Sequence, residues 1–281
     1  MINSKDLFRD LRKRITLVQE ASETESILHR VLEEVSGITR SDIISQKAVS
    51  LTAQEISALD SIIDRINTSE PVQYILGKAD FFGREFLVNT SVLIPRPETE
   101  LLVEEVLTHA SNTSGKILDI GTGSGCIAVT LSRELPKADV YAFDISEEAL
   151  QTARSNAARL NANVTFQQVD ILKDEITLRD LDCIVSNPPY VAVSERDSMH
   201  DNVLNYEPHL ALFVPDNDPL IFYKIIATKG KEALKSGGRL VVEINERFGK
   251  EVCAVFAGAG FSDVRIIKDL QNKNRIVSAV K

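Results

Sequence analysis

The chain has 281 residues, 43% of them hydrophobic and 26% charged, with a net charge of −9. That length accommodates one large domain and one small one, and the acidic balance argues against a protein that grips nucleic acid, which takes a basic face. No apolar run reaches the ~20 residues of a membrane span, and the first residues lack the apolar core of a signal peptide. Three scattered cysteines, Cys126, Cys183 and Cys253, suit neither a disulfide framework nor a metal site. A cytoplasmic protein without a metal, and a monomer, is therefore expected. The four histidines are dispersed and take no role.

The first 70 or so residues read as helices. Leu7, Leu11, Ile15 and Val18 recur at helical spacing, as do Ile27, Leu28, Val31, Leu32 and Val35 before Gly37. A third helix is predicted to open at Thr52-Ala53-Gln54-Glu55, a capping box. Its apolar face runs through Ile56, Leu59, Ile62, Ile63 and Ile66. Nothing in this bundle looks catalytic.

After Pro71 the pattern changes. Phe81-Phe82-Gly83-Arg84-Glu85-Phe86-Leu87-Val88 predicts two short strands about a glycine turn. Strands are then expected at 116–119, 139–143, 164–168, 182–186, 238–244, 264–268 and 275–280, with helical patterns between most of them. Such alternation predicts an α/β fold whose mostly parallel, seven-stranded sheet is covered on both faces. The link between the last two strands is too short for a crossover helix, so one strand should be antiparallel. The expected organisation is a helical substrate-recognition domain at 1–75, a hairpin linker at 76–96 and the α/β domain at 97–281.

The strand at 116–119 runs into Gly121-Thr122-Gly123-Ser124-Gly125-Cys126. Cys126 stands where the dinucleotide fingerprint has its third glycine, so that fingerprint fails. The tighter G-x-G-x-G after an acidic strand end resembles the S-adenosylmethionine loop, with Asp119 approaching the cofactor. Asp144, with Ile145 beside it, ends the next strand at the interval expected of a ribose-binding carboxylate. Asp170 and Ile171 follow the third strand and are placed to hold the adenine. One strand antiparallel near the C-terminal end is, with this loop, the pattern of the Rossmann-like class I S-adenosylmethionine methyltransferases.

The fourth strand ends in Asn187-Pro188-Pro189-Tyr190. Each proline biases the residue before it toward an extended backbone, which aims the Asn187 side-chain oxygen and the Pro188 carbonyl at one point. Two converging acceptors suit a planar NH2 group, held with its face toward an electrophilic methyl. Tyr190 is expected to pack against the target. The competing reading is a rigid turn after a strand.

These motifs resemble the amino-methyltransferases, which act on DNA adenine, RNA guanine or protein glutamine. Val92-Leu93-Ile94-Pro95-Arg96-Pro97-Glu98-Thr99-Glu100 resembles the signature of the HemK/PrmC family, the peptide chain release factor N5-glutamine methyltransferases. Pro71-Val72-Gln73-Tyr74-Ile75-Leu76-Gly77 and Tyr206-Glu207-Pro208, with Ala211-Leu212, are similar to it as well. The resemblance implies methylation of the glutamine of a Gly-Gly-Gln tripeptide in class 1 release factors, with S-adenosylmethionine as donor and S-adenosylhomocysteine as product. It departs at Ile171, where the family often has an aromatic residue. Arg96 and Glu98 stand as substrate-contact candidates: Arg96 either pairs with Glu98 or faces the substrate. Phe81 and Phe82 are hairpin core or, through one ring, part of the cofactor pocket. Glu243 is near the site or caps a turn. A glutamine methyltransferase of a ribosomal protein, an RNA or DNA exocyclic-amine methyltransferase and a non-enzymatic scaffold are the alternatives.

Overall fold

Two of the predicted N-terminal helices begin where a side chain satisfies the orphan amides of a first turn. In the computed structural model, which describes residues 1–16, 21–110 and 115–281, Asn3 caps helix Ser4–Arg14 and the expected capping box opens helix Ala53–Asn67. Glu55 accepts from the Thr52 amide at 2.7 Å, and the Glu55 amide donates to Thr52 Oγ1 at 3.2 Å. Between them, helix Ala21–Ser36 buries Leu28, Val31 and Leu32 completely. It stops at Gly37, whose φ of +66° a residue with a Cβ adopts only at a cost. These side chains form one apolar cluster with Leu7, Leu11, Ile15, Leu59, Ile62, Ile63 and Ile66. Ile56, on the first turn of its helix, is 48% exposed and outside that cluster, and the predicted contact of Val18 falls outside the described residues. This compact unit comprises Met1–Gly77 and His200–Tyr206. Within it the Tyr206 hydroxyl donates to the Thr68 carbonyl at 2.8 Å.

The second unit, Lys78–Met199 and Glu207–Lys281, opens with a hairpin of β1 (Lys78–Phe81) and β2 (Arg84–Leu87). Its two turn residues, Phe82 and Gly83, have φ of +50° and +68°, the double left-handed geometry that matches strand twist in a tight hairpin. Glycine adopts it freely and Phe82 does so under strain. Phe81 and Phe86 are 1% and 0% exposed and meet edge to face, with ring centroids 6.1 Å apart. Burial of each ring contributes about 2–3 kcal/mol.

The main sheet holds β3 (Lys116–Ile120), β4 (Asp139–Asp144), β5 (Val164–Gln168), β6 (Leu181–Ser186), β7 (Leu234–Glu243), β8 (Ser262–Lys268) and β9 (Asn274–Val280). The strand order is β8-β9-β7-β6-β3-β4-β5, all parallel except β9, which runs antiparallel to both neighbours. This is the α/β architecture expected, with the antiparallel strand at the C-terminal end of the chain. Alternation along the strands divides the core. Leu118, Ile184 and Leu240 pack on one face with Tyr223 and Phe256, while Ile117, Val185 and Val241 pack on the other with Leu102 and Leu131. A sheet buried on both faces explains the near-continuous apolar runs in these strands.

Asn156, fully buried on helix Glu147–Arg159, ties the hairpin to the glycine loop. Its Oδ1 accepts from the Leu87 amide at 2.7 Å, and its Nδ2 donates to the carbonyls of Leu87 and Ser124, both at 2.9 Å. Arg159 pairs with Glu85 on the same side. Asn156→Ala leaves three backbone groups without this partner, one buried and two part-buried, so unfolding should require about 2–3 kcal/mol less free energy than in the wild type. Urea titration of the full chain reads the change, and a loss under about 1 kcal/mol would show that the hairpin is held by its aromatic rings instead.

Candidate active site

Parallel strands deliver their C-terminal ends to one edge of the sheet, where chains diverge to opposite faces and leave a crevice. A cavity of about 560 Å³ opens there. Gly121, Thr122 and Gly123 follow β3, Asp144 and Ile145 end and follow β4, and Asp170 and Ile171 follow β5. Asn187, Pro188 and Pro189 follow β6 and line the same cavity, with Arg96 and Thr99 from the segment before helix Glu100–His109.

The glycine loop is shaped by the backbone of β4. Gly121 and Thr122 amides both donate to the Phe143 carbonyl, at 2.8 and 3.0 Å, and the Gly123 amide donates to Asp144 Oδ2 at 2.8 Å. Gly121 and Gly123 have φ of +75° and +54°. Asp144 Oδ1 also accepts from the Ser146 amide at 2.9 Å, so this carboxylate joins the loop to the start of the next helix. Burial pushes its pKa up, and the Ser146 and Gly123 amides pull it back. Gly125, at φ +80°, does not line the cavity: a Cβ there would lie 3.0 Å from the Ala153 Cβ, so this glycine serves helix packing.

Asp119 is wholly buried beneath the loop and does not line the cavity either. Thr122 Oγ1 donates to its Oδ2 at 2.7 Å, while Oδ1 has no hydrogen-bond partner among the described residues. Burial pushes its pKa up to about 7, against the Thr122 hydrogen bond that lowers it. A buried carboxyl with one unused oxygen is costly without a ligand. Asp170 instead keeps its pKa low through Lys173, 2.9 Å away, with the Leu172 amide assisting. Ile171 is buried at the wall, and Ile145 is 40% exposed.

Asn187 Nδ2 donates to Thr99 Oγ1 at 3.2 Å, and Thr99 Oγ1 donates to Glu243 Oε2 at 2.7 Å. Tyr190 is absent from the cavity lining; its hydroxyl donates to Glu243 Oε1 at 3.1 Å and its ring packs against the core. Burial and the adjacent Glu243 raise the Tyr190 pKa far above its ordinary value, so it stays a donor. Glu243, 2% exposed at the end of β7, has its pKa raised by burial, opposed by Thr99, Tyr190 and Arg275. Arg96 pairs neither with Glu98 nor with solvent alone: it is bound to Glu207, whose Oε2 also accepts from the Ile94 amide at 3.3 Å. Glu98 is exposed and off the cavity lining; neither hairpin ring lines the cavity, Phe81 being in the core and Phe82 packed against it. The sequence reading gave no role to Thr99 or Asn156. A threonine inside a proline-glutamate run and an asparagine within a helix carry no pattern that announces a partner.

Residues 7–77 match the family profile of the PrmC N-terminal domain, and residues 97–207 that of the methyltransferase small domain. The chain is 44% identical over 270 residues to the release factor glutamine methyltransferase of Bacteroides thetaiotaomicron, covering 96% of this chain and 97% of the relative. It is 41% identical to the enzyme of the same name from Flavobacterium psychrophilum, covering 92% of each. A methyltransferase structure from Pyrococcus furiosus shares the fold, with a TM-score of 0.53, 19% identity, and 72% of this chain and 90% of that one covered.

The folded pKa of Asp119, about 7, lies above its ordinary 3.8. The native state therefore binds this proton more tightly than the unfolded chain. Its contribution to stability is full below 3.8 and is lost as pH rises through about 7. The denaturation midpoint of the ligand-free protein should fall across that window relative to Asp119→Asn, which lacks the titrating group. A pH-independent difference between the two would contradict the burial argument.

Proposed function

The chain belongs to the release factor glutamine methyltransferase family, and from that premise we propose that it methylates class 1 peptide chain release factors. The acceptor is the side-chain amide nitrogen of the glutamine in their Gly-Gly-Gln tripeptide, and the modification supports translation termination. The methyl donor is S-adenosylmethionine. The N-terminal bundle would help to hold the protein partner, and residues 76–96 would link it to the methyltransferase domain.

The residues present fit this cofactor. The backbone at Gly121 to Gly123 lines the cavity and carries no side chain that would fill the cradle at its two glycines, and the buried Asp119 carboxyl holds Thr122 of that loop from beneath. Asp144 keeps acceptor capacity beyond its two backbone amides, enough for ribose hydroxyls. Ile145, Asp170 and Ile171 line the remaining wall, where an adenine would pack against aliphatic carbon. When bound, S-adenosylmethionine supplies a methyl group on a positively charged sulfur, an electrophile for in-line displacement.

An amide nitrogen is a poor nucleophile because its lone pair is delocalised. The proposal gives the chain two tasks: orientation and relief of the positive charge that develops on that nitrogen. Asn187 Oδ1 and the Pro188 carbonyl would accept the two amide hydrogens and turn the nitrogen's face toward the methyl. Pro188 and Pro189 hold these acceptors extended, and Tyr190, tied to Glu243, supports them from behind. Arg96, 35% exposed in its side chain and anchored by Glu207, is the cation available to the substrate backbone, with Glu98 at the rim. The observation that carries the reading is that Asn187 lines the cavity with its amide nitrogen already committed to Thr99, which leaves the oxygen for an NH2 group.

Labelled S-adenosylmethionine with a purified class 1 release factor should label the native factor and not a copy whose tripeptide glutamine is replaced. Label on neither, with cofactor binding intact, would move the substrate to another protein amide. Asn187→Ala should lower kcat about a hundredfold while the cofactor Kd stays close to that of the wild type. Unchanged turnover in that variant would overturn the role given to Asn187.

A further inference from the structure

We propose that Thr99 is a positioning residue that fixes which end of the Asn187 amide faces the cavity, and that Glu243 sets the direction in which Thr99 works. The inference rests on the function proposed above, because only an NH2-bearing target requires an acceptor at that point.

A side-chain amide has one acceptor end and one donor end of nearly the same shape, so rotation by half a turn exchanges them at little steric cost. Presented the wrong way round, Asn187 would offer an N–H to the target NH2, and donor would meet donor. Something must break this symmetry. A threonine hydroxyl has a single hydrogen. At Thr99 that hydrogen lies on Glu243 Oε2, 2.7 Å away, and both groups are 2% exposed, so no water competes for it. Oγ1 is then left only with lone pairs toward Asn187, and it can only accept. The donor end, Nδ2, must therefore face Thr99, at 3.2 Å, and Oδ1 must face the opposite way.

Glu243 is itself held in place. Its other oxygen, Oε1, accepts the Tyr190 hydroxyl at 3.1 Å, and its main-chain carbonyl accepts the Tyr223 hydroxyl at 3.2 Å. With one hydroxyl hydrogen on each oxygen, the carboxylate has no reason to rotate. The order of donors is thus carried from the buried end of β7 to the substrate-facing amide through Thr99. These elements lie far apart in the chain: Thr99 precedes helix Glu100–His109, Asn187 follows β6 and Glu243 ends β7.

Thr99→Val keeps the shape and removes both the acceptor and the hydrogen; Thr99→Ser keeps both. With a class 1 release factor as substrate, Thr99→Val should lose about tenfold or more in kcat, with KM for S-adenosylmethionine near the wild-type value, and Thr99→Ser should restore most of the rate. The discriminating readout is a release factor carrying glutamate in place of the tripeptide glutamine. The wild type should bind it more weakly than the glutamine form, whereas Thr99→Val, free to present Nδ2, should lose most of that preference. Side-chain amide NMR of Asn187 tests the relay without turnover: its Nδ2 protons should exchange slowly with water in wild type and Thr99→Ser, and much faster in Thr99→Val. Equal exchange, or full turnover and unchanged preference in a folded Thr99→Val, overturns the proposal. A wild type that methylates no release factor refutes the proposed function instead, and the exchange measurement still decides whether Thr99 orients Asn187.

Discussion

Parallel hydrogen bonding between β3 and β6 underlies everything at the site. Asp119 lies opposite Val185 and Ile120 opposite Ser186, and the buried Ser186 hydroxyl donates to the Ile120 carbonyl at 2.7 Å. The two strands therefore end together, and the chain leaves them at Gly121 and Asn187 side by side. A Cβ placed on Gly121 would come within 4.0 Å of the Asn187 carbonyl oxygen. The glycine loop and the Asn187-Pro188-Pro189 turn, to which the proposed function gives cofactor and target, are consequently neighbours. A slip of one residue in this pairing would turn every side chain of the strand to the other face, and both loops would lose their alignment together.

The same edge of the sheet concentrates carboxyl groups. Asp119, Asp144 and Glu243 are each pushed toward higher pKa by burial, which means that these carboxyls, when ionised, oppose folding electrostatically. They differ in what offsets that cost. Glu243 has two buried hydroxyl donors, whereas Asp144 has two backbone amides and keeps further acceptor capacity. Asp119 keeps an oxygen with no partner among the described residues. Of the three, Asp144 is the one that lines the cavity, while Asp119 and Glu243 lie behind its wall.

The geometry of the cavity wall is set by side chains that do not themselves line the cavity. Asn156 joins the hairpin to the Ser124 carbonyl of the glycine loop, Glu207 holds Arg96 and the Ile94 amide, and Glu243 directs Thr99. Each is a buried polar group whose capacity is used on groups distant in the chain. Such groups are expensive when half satisfied and specify a single arrangement when fully satisfied.

Much of this was legible in the residues alone. A 3.6-residue apolar period located the helices, because one helix face is buried, and short apolar runs bounded by glycines and polar residues located the strands, because the sheet is buried on both faces. Gly121 to Gly123, Asp144 and Asn187 to Pro189 were legible because a glycine in a strand-to-helix turn and a proline pair restrict the backbone locally. The sequence alone determined these local constraints, and with them the class of the fold and the family of the chemistry. Only the tertiary structure decided that Gly125 serves packing, that Tyr190 turns away from the cavity, that Arg96 takes Glu207 over Glu98, and that Thr99 stands between Asn187 and Glu243. Those outcomes depend on which side chains meet across strands that the crossover helices separate by scores of residues, and no local pattern records a partner that distant.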